Sequence, residues 1–264
     1  MDLSLREGLV EVEGSDPPTF GSPGVEDRAR AISVIAADAY SYLAGLLDLR
    51  PPLQVLVLSE ADWPSKTQGT YGVPHSSGFG TDSVFLAGTE APLWSHLAEL
   101  LDPADRPELV ATYGEDGSRA PLGRYFDLLA VHEMAHIFSG SAMRFSRFWL
   151  SELFANLCLH AWVSERAPDS LPFLLTLPRL GAKLPASRWE HSTLEDFERL
   201  YYGVGEDTYP WFHFRFQLEA AAVYERAGSD AIVRLFAAFH LDDAALAQRL
   251  EAVDPGLAEF SLSF

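Results

Sequence analysis

Strand-like alternation in this chain is confined to the residues before position 90. From Pro121 onward almost every segment repeats its apolar residues at helical spacing. Mixed strands and helices followed by helices alone predict an α+β fold. The expected form is a small, mostly N-terminal sheet lobe packed on a helical C-terminal lobe. At 264 residues the chain is long enough to bury a substantial core. It reads as one unit over 1–264, with an α/β lobe at 1–120 and a helical lobe at 121–264.

The segments follow from local pattern. "GLVEVEG" (8–14) alternates like a short strand, and "GSDPPTFGSPG" (14–24) reads as a loop. Residues 25–49 carry apolar positions at helical spacing and stop before Pro51 and Pro52. "LQVLVLSEADW" (53–63) and "SVFLAGT" (83–89) read as strands, the second as an edge near 82–88. Between them lies a Gly/Ser/Pro-rich loop at 66–82, and "APLWSHLAELL" (91–101) predicts a short helix. Further helices are expected over 121–139, 148–165, 192–202, 207–226, 229–240 and 242–252, with a loop at 112–123.

The net charge of −19 offers no basic patch for a phosphate backbone or an anionic membrane. The charge serves simple solubility, and a cationic peptide or basic protein surface would also be steered favourably. No apolar run reaches the roughly 18 residues of a membrane span, and the acidic start "MDLSLREGLVEVEG" does not read as a secretory signal. Cys158 is the single cysteine, so no internal disulfide forms, and the expected setting is reducing and cytoplasmic.

The chemistry concentrates in "YFDLLAVHEMAHIFSG" (125–140). On a helix His132 and His136 stand one above the other and can offer two imidazole nitrogens to one ion. Glu133, rotated by about 100° from His132, reaches a water rather than the metal. This is the H-E-x-x-H arrangement of zinc hydrolases, with the glutamate as general base. The helix is apolar nearly all round, so it is buried, and its titratable groups need partners. A catalytic zinc takes a third protein ligand. Fifteen residues separate His136 from Glu152, which lies early in the apolar helix "RFWLSELFANLCLHAW". Asn156, one turn on, either steadies a ligand histidine or is a polar residue that caps a local turn or faces solvent.

"HEMAH" followed by "WLSELFAN" resembles the gluzincin metallopeptidases, especially the small peptidase-MA-like domains. The resemblance implies a zincin-like fold and Zn2+ held by His132, His136 and Glu152. It also implies Glu133 as catalytic base and a peptide or protein substrate. Weaker similarity extends to 51–63, 71–89 and the helix pair beginning "TYPWFHF". Leu153 departs from the glycine usual after the ligand glutamate.

In gluzincins a Tyr or His on a later helix stabilises the oxyanion. Tyr209 is the first choice here, ahead of His213, with Tyr201 and Tyr202 also possible. His160 reads as a core histidine, Cys158 as a small buried hydrophobe, and His75 as a loop histidine near a cleft. Trp211, Phe212, Phe214 and Phe216 read as core packing. Two alternatives stay open: a catalytically inactive zincin-like binding module, and a structural protein without metal.

Overall fold

The structure is a computed structural model. It describes residues 2–77, 82–114, 121–141, 145–201, 203, 205, 208–238 and 245–262. The chain divides into two compact units. A sheet unit holds Met1–Glu99 and Tyr113–Ser141; a helical unit holds Leu100–Thr112 and Ala142–Phe264.

The sheet unit contains, in chain order, β1 (Val10–Glu11), β2 (Thr19–Gly21), α1 (Glu26–Leu47), β3 (Gln54–Leu58), α2 (Trp63–Lys66), β4 (His75–Ser76), β5 (Ser83–Ala87) and most of α3 (Pro92–Leu100). After α4 (Arg106–Tyr113), which lies almost wholly in the helical unit, comes α5 (Gly123–Ser141). The five-stranded sheet runs β1-β2-β3-β5-β4. β2, β3 and β5 are parallel, with Phe20 opposite Leu56 and Leu56 opposite Phe85. β1 and β4 are antiparallel edges.

β3 and β5 are buried at every position because both sheet faces are covered. On one face Phe20, Leu56, Leu58 and Phe85 form a cluster with Trp63, flanked by Leu5, Leu9 and Tyr71. On α1 the fully buried Ala29, Ile32, Ala36, Ala39 and Leu43 fall at three- and four-residue intervals. That stripe packs against β2 and β3. Small residues let it approach closely: a Cβ added at Gly21 would stand 2.8 Å from that of Ala29. Helix α5 packs on α1, β5 and β4. Arg28 of α1 reaches Asp127 of α5 at 2.5 Å, and Trp94 of α3 stacks on Phe126 at 4.6 Å between ring centres.

The helical unit comprises α6 (Phe148–Arg166), α7 (Leu171–Gly181), α8 (Leu194–Leu200), α9 (Thr208–Ala227), α10 (Asp230–Ala238), α11 (Leu246–Val253) and α12 (Pro255–Phe260). Its spine is the α6–α9 pair. The two run in the same direction, since Glu152 neighbours His213 while His160 and Glu165 neighbour Tyr224. α7 also lies against α9, and Gly181 is required there: a Cβ would meet the Phe214 ring at 2.2 Å. α4 is tied to α7 by Arg179 with Glu108 and by a Thr112–Thr176 hydrogen bond of 3.2 Å.

The mixed α+β character is as expected, and most predicted helices fall within a few residues of their places. Four differences have physical reasons. The stretch 83–87 is not an edge: β4 pairs with it at Val84 and Phe85, so β5 is interior. Strand order is a long-range property, and the alternation of a strand does not reveal its neighbours. β2 lies inside the predicted 14–24 loop, where three residues after Pro17 and Pro18 are too few to show a period. Helix α7 was hidden by Pro172 and Pro178, although Pro172 sits in its first turn where no N–H is needed. The expected division at residue 120 also shifts, because α5 joins the sheet unit and 100–112 joins the helical unit.

Candidate functional site

The residues singled out by the sequence fall in both units. In the sheet unit, α5 carries His132, Glu133 and His136. His132 is 2% exposed and Glu133 8%, so the helix holds an imidazole and a carboxyl inside apolar surroundings that include Val131, Met134 and Ala135. The Nε2 atoms of His132 and His136 lie 3.0 Å apart, with the rings nearly perpendicular at 81°. Two nitrogens each about 2.0–2.1 Å from a tetrahedral zinc would stand about 3.3 Å apart. The spacing therefore fits a shared ion closely, although a single N–H donated from one ring to the other also satisfies it.

His75 sits elsewhere in the sheet unit and has a packing role. Its ring stacks on Phe85 at 5.0 Å and meets Trp63 edge-on. Nδ1 lies 3.0 Å from the Val73 carbonyl, which accepts only an N–H, so Nε2 is left to accept from the Thr67 hydroxyl at 2.5 Å. It is half-buried core rather than an open loop histidine.

In the helical unit, Glu152 is 1% exposed on α6. The Tyr201 hydroxyl donates to its Oε1 at 2.6 Å, the length of a charge-assisted bond. Glu152 and His213, which is buried on α9, offer ligand-type atoms within 4.8 Å of each other. Tyr209, in the first turn of α9, lies in a ring cluster with Phe197 at 5.9 Å, Tyr201 at 6.1 Å and His213 at 6.4 Å. The structure thus gathers Glu152, Tyr201, Tyr209 and His213 within one unit. Tyr202 lies outside the described residues.

Other predictions resolve individually. Asn156 donates its amide to the Glu152 backbone carbonyl at 3.0 Å, and its fully buried Oδ1 accepts no hydrogen bond among the described residues. It back-bonds within its own helix rather than steadying a histidine. His160 is 4% exposed, packs edge-on against Tyr224 and is held neutral by burial, with its pKa pushed down to about 4. Cys158 is fully buried, and burial pushes its thiol well above the ordinary range. Leu153 is 1% exposed and belongs to the core. Trp211, Phe212, Phe214 and Phe216 are likewise buried.

The sequence offers Tyr201 only as a candidate oxyanion donor; in the structure its hydroxyl donates to Glu152. The sequence does not reveal Glu198 of α8, whose carboxylate accepts the Phe148 N–H at 2.9 Å and so caps the start of α6. Both contacts join residues about fifty positions apart, beyond the reach of any local pattern.

No protein-family model, curated protein or solved structure matches the chain. Among the described residues no helix is long and apolar enough to cross a membrane.

Proposed function

We propose that the chain is a zinc-dependent hydrolase of the gluzincin type with a zincin-like fold, cleaving peptide bonds in a peptide or protein substrate. The observation that carries this reading is the His132–His136 pair, with its Nε2 atoms 3.0 Å apart beside a buried Glu133. His132, His136 and Glu152 would hold the ion, which when bound lowers the pKa of water toward neutrality and polarises a carbonyl. Glu133 accepts the proton of the attacking water and passes it to the leaving amine. Its low exposure keeps the carboxylate in surroundings where proton transfer is not diluted by bulk solvent. An extended substrate that added to the sheet near α5 would use the antiparallel edge strand β4 in place of β5.

His213 supports a second reading. Placed beside Glu152, it can serve as an oxyanion donor or as a fourth ligand. Four protein ligands close a zinc site and make it structural, which would give a binding module without turnover.

The test is elemental analysis of wild type, His136→Ala and His213→Ala, purified without chelator or affinity metal, followed by cleavage of a peptide library. Near-stoichiometric zinc that disappears in His136→Ala supports the hydrolase. Zinc retained in His213→Ala with cleavage reduced assigns the donor role; zinc lost in both, with no cleavage by wild type, assigns the binding module. Wild type that takes up no zinc even when supplied with it sinks both readings.

A further inference from the structure

Helix α8 is attached to α6 at two matched points. Glu198 and Tyr201 are three residues apart on α8 and its C-cap, and so share one face. Their partners, Phe148 and Glu152, are four apart on α6 and share one face as well. Glu198 accepts the Phe148 N–H at 2.9 Å, and the Tyr201 hydroxyl donates to Glu152 Oε1 at 2.6 Å. Between the two bonds the Phe148 and Tyr201 rings stack with centroids 4.3 Å apart and planes within 8°. Phe197, fully buried, meets Tyr201 edge-on at 5.4 Å. The start of α8 is itself fixed by a capping box, with Thr193 and Asp196 each bonding the other's backbone.

From this arrangement we infer that Tyr201 is the positioning residue for Glu152: it fixes the plane of the carboxylate before an ion arrives. The inference rests on the zinc reading above and extends it to a residue that would act through Glu152. Three restraints act on the phenol. The stack on Phe148 sets the ring plane, the edge of Phe197 stops it from swinging away, and the Glu198 cap holds Phe148 in register. A carboxylate on a free side chain would have to lose its rotational freedom on binding; this one is already held by one oxygen. Partners of this kind, bonded to a ligand, typically change metal affinity by about 10- to 100-fold when removed.

The experiment compares zinc affinity, by competition with a chromogenic chelator, in wild type, Tyr201→Phe, Phe148→Leu and Tyr224→Phe. Tyr201→Phe deletes only the oxygen and keeps the rings that stack on Phe148 and Phe197. Tyr224→Phe removes a similar hydroxyl-to-glutamate bond, to Glu165 at the far end of α6. The expected result is zinc binding about 10- to 100-fold weaker in Tyr201→Phe, a smaller loss in Phe148→Leu, and no change in Tyr224→Phe. The visible absorption bands of the Co2+-loaded Tyr201→Phe protein should shift as well, which a purely structural contact would not cause. Tyr201→Phe binding zinc within twofold of wild type, with unshifted Co2+ bands, overturns the inference while leaving the hydrolase reading intact. Failure of wild type itself to bind zinc overturns both.

Discussion

Helices α5 and α6 are each 19 residues long and buried on nearly every face. Yet they handle their polar groups in opposite ways. α5 places His132, Glu133 and His136 within a single turn, with the two imidazoles facing each other at 3.0 Å. α6 spreads Glu152, Asn156 and His160 over two turns and gives each a separate environment: a tyrosine hydroxyl, its own backbone and an aromatic edge. Crowding buried titratable groups into one turn is costly for folding unless they share a partner, and the proposed ion would be such a partner. Dispersing them gives each a local solution: Glu152 takes the Tyr201 hydroxyl, Asn156 its own helix backbone, and His160 is held neutral by burial.

The contrast can be broken by substitution, and the largest effect is expected on α5. Glu133→Gln should lower peptide turnover by about 10²–10⁴-fold while zinc content stays at the wild-type level; loss of zinc together with activity would make Glu133 a structural part of the helix. On α6, Phe154→Ala removes a fully buried ring and should cost about 3–5 kcal/mol in urea unfolding. A cost below about 1 kcal/mol would mean that the α6 core is not packed as described.

The third test is the pH dependence of stability. His160 titrates at about 4 when folded, against 6.5 for the ordinary group. Between these values the unfolded chain binds the proton and the folded chain does not, so stability falls as pH drops from 6.5 to 4 and is unaffected above 6.5. The full window is worth about 3 kcal/mol, and His160→Leu should flatten that part of the profile. An unchanged slope would show that another group produces it. The smallest effect is expected for Asn156→Leu, which removes a buried oxygen that accepts no hydrogen bond among the described residues, along with one local bond. It should change stability by no more than about 1 kcal/mol in either direction, while a large loss would reveal an additional partner for that amide.

The two helices also mark how much could be read in advance. Both were legible because apolar residues at helical spacing need no knowledge of neighbours, and H-E-x-x-H is complete within five residues. β3 and β5 were legible for the same reason. What sequence did not supply was adjacency. The interior place of β5 depends on β4, a two-residue strand within a glycine-rich stretch. The bond from Tyr201 to Glu152 spans 49 positions. α7 was lost because proline is read as a helix breaker, although the one at its start is harmless and Pro178 is tolerated inside. Helix α5, assigned by pattern to the helical lobe, packs instead on α1 and the sheet, a choice made by shape rather than by periodicity.

Cys158 supplies the helical unit with a clock. It is the only thiol in the chain, fully buried in the middle of α6 and held far from its reactive thiolate form. A thiol reagent can reach it only when α6 leaves its neighbours, so the labelling rate counts those openings directly. Any ligand that fastens α6 at Glu152 should slow that count in proportion to how tightly it binds. The protein therefore reports occupancy of its own candidate site through a side chain that takes no part in it.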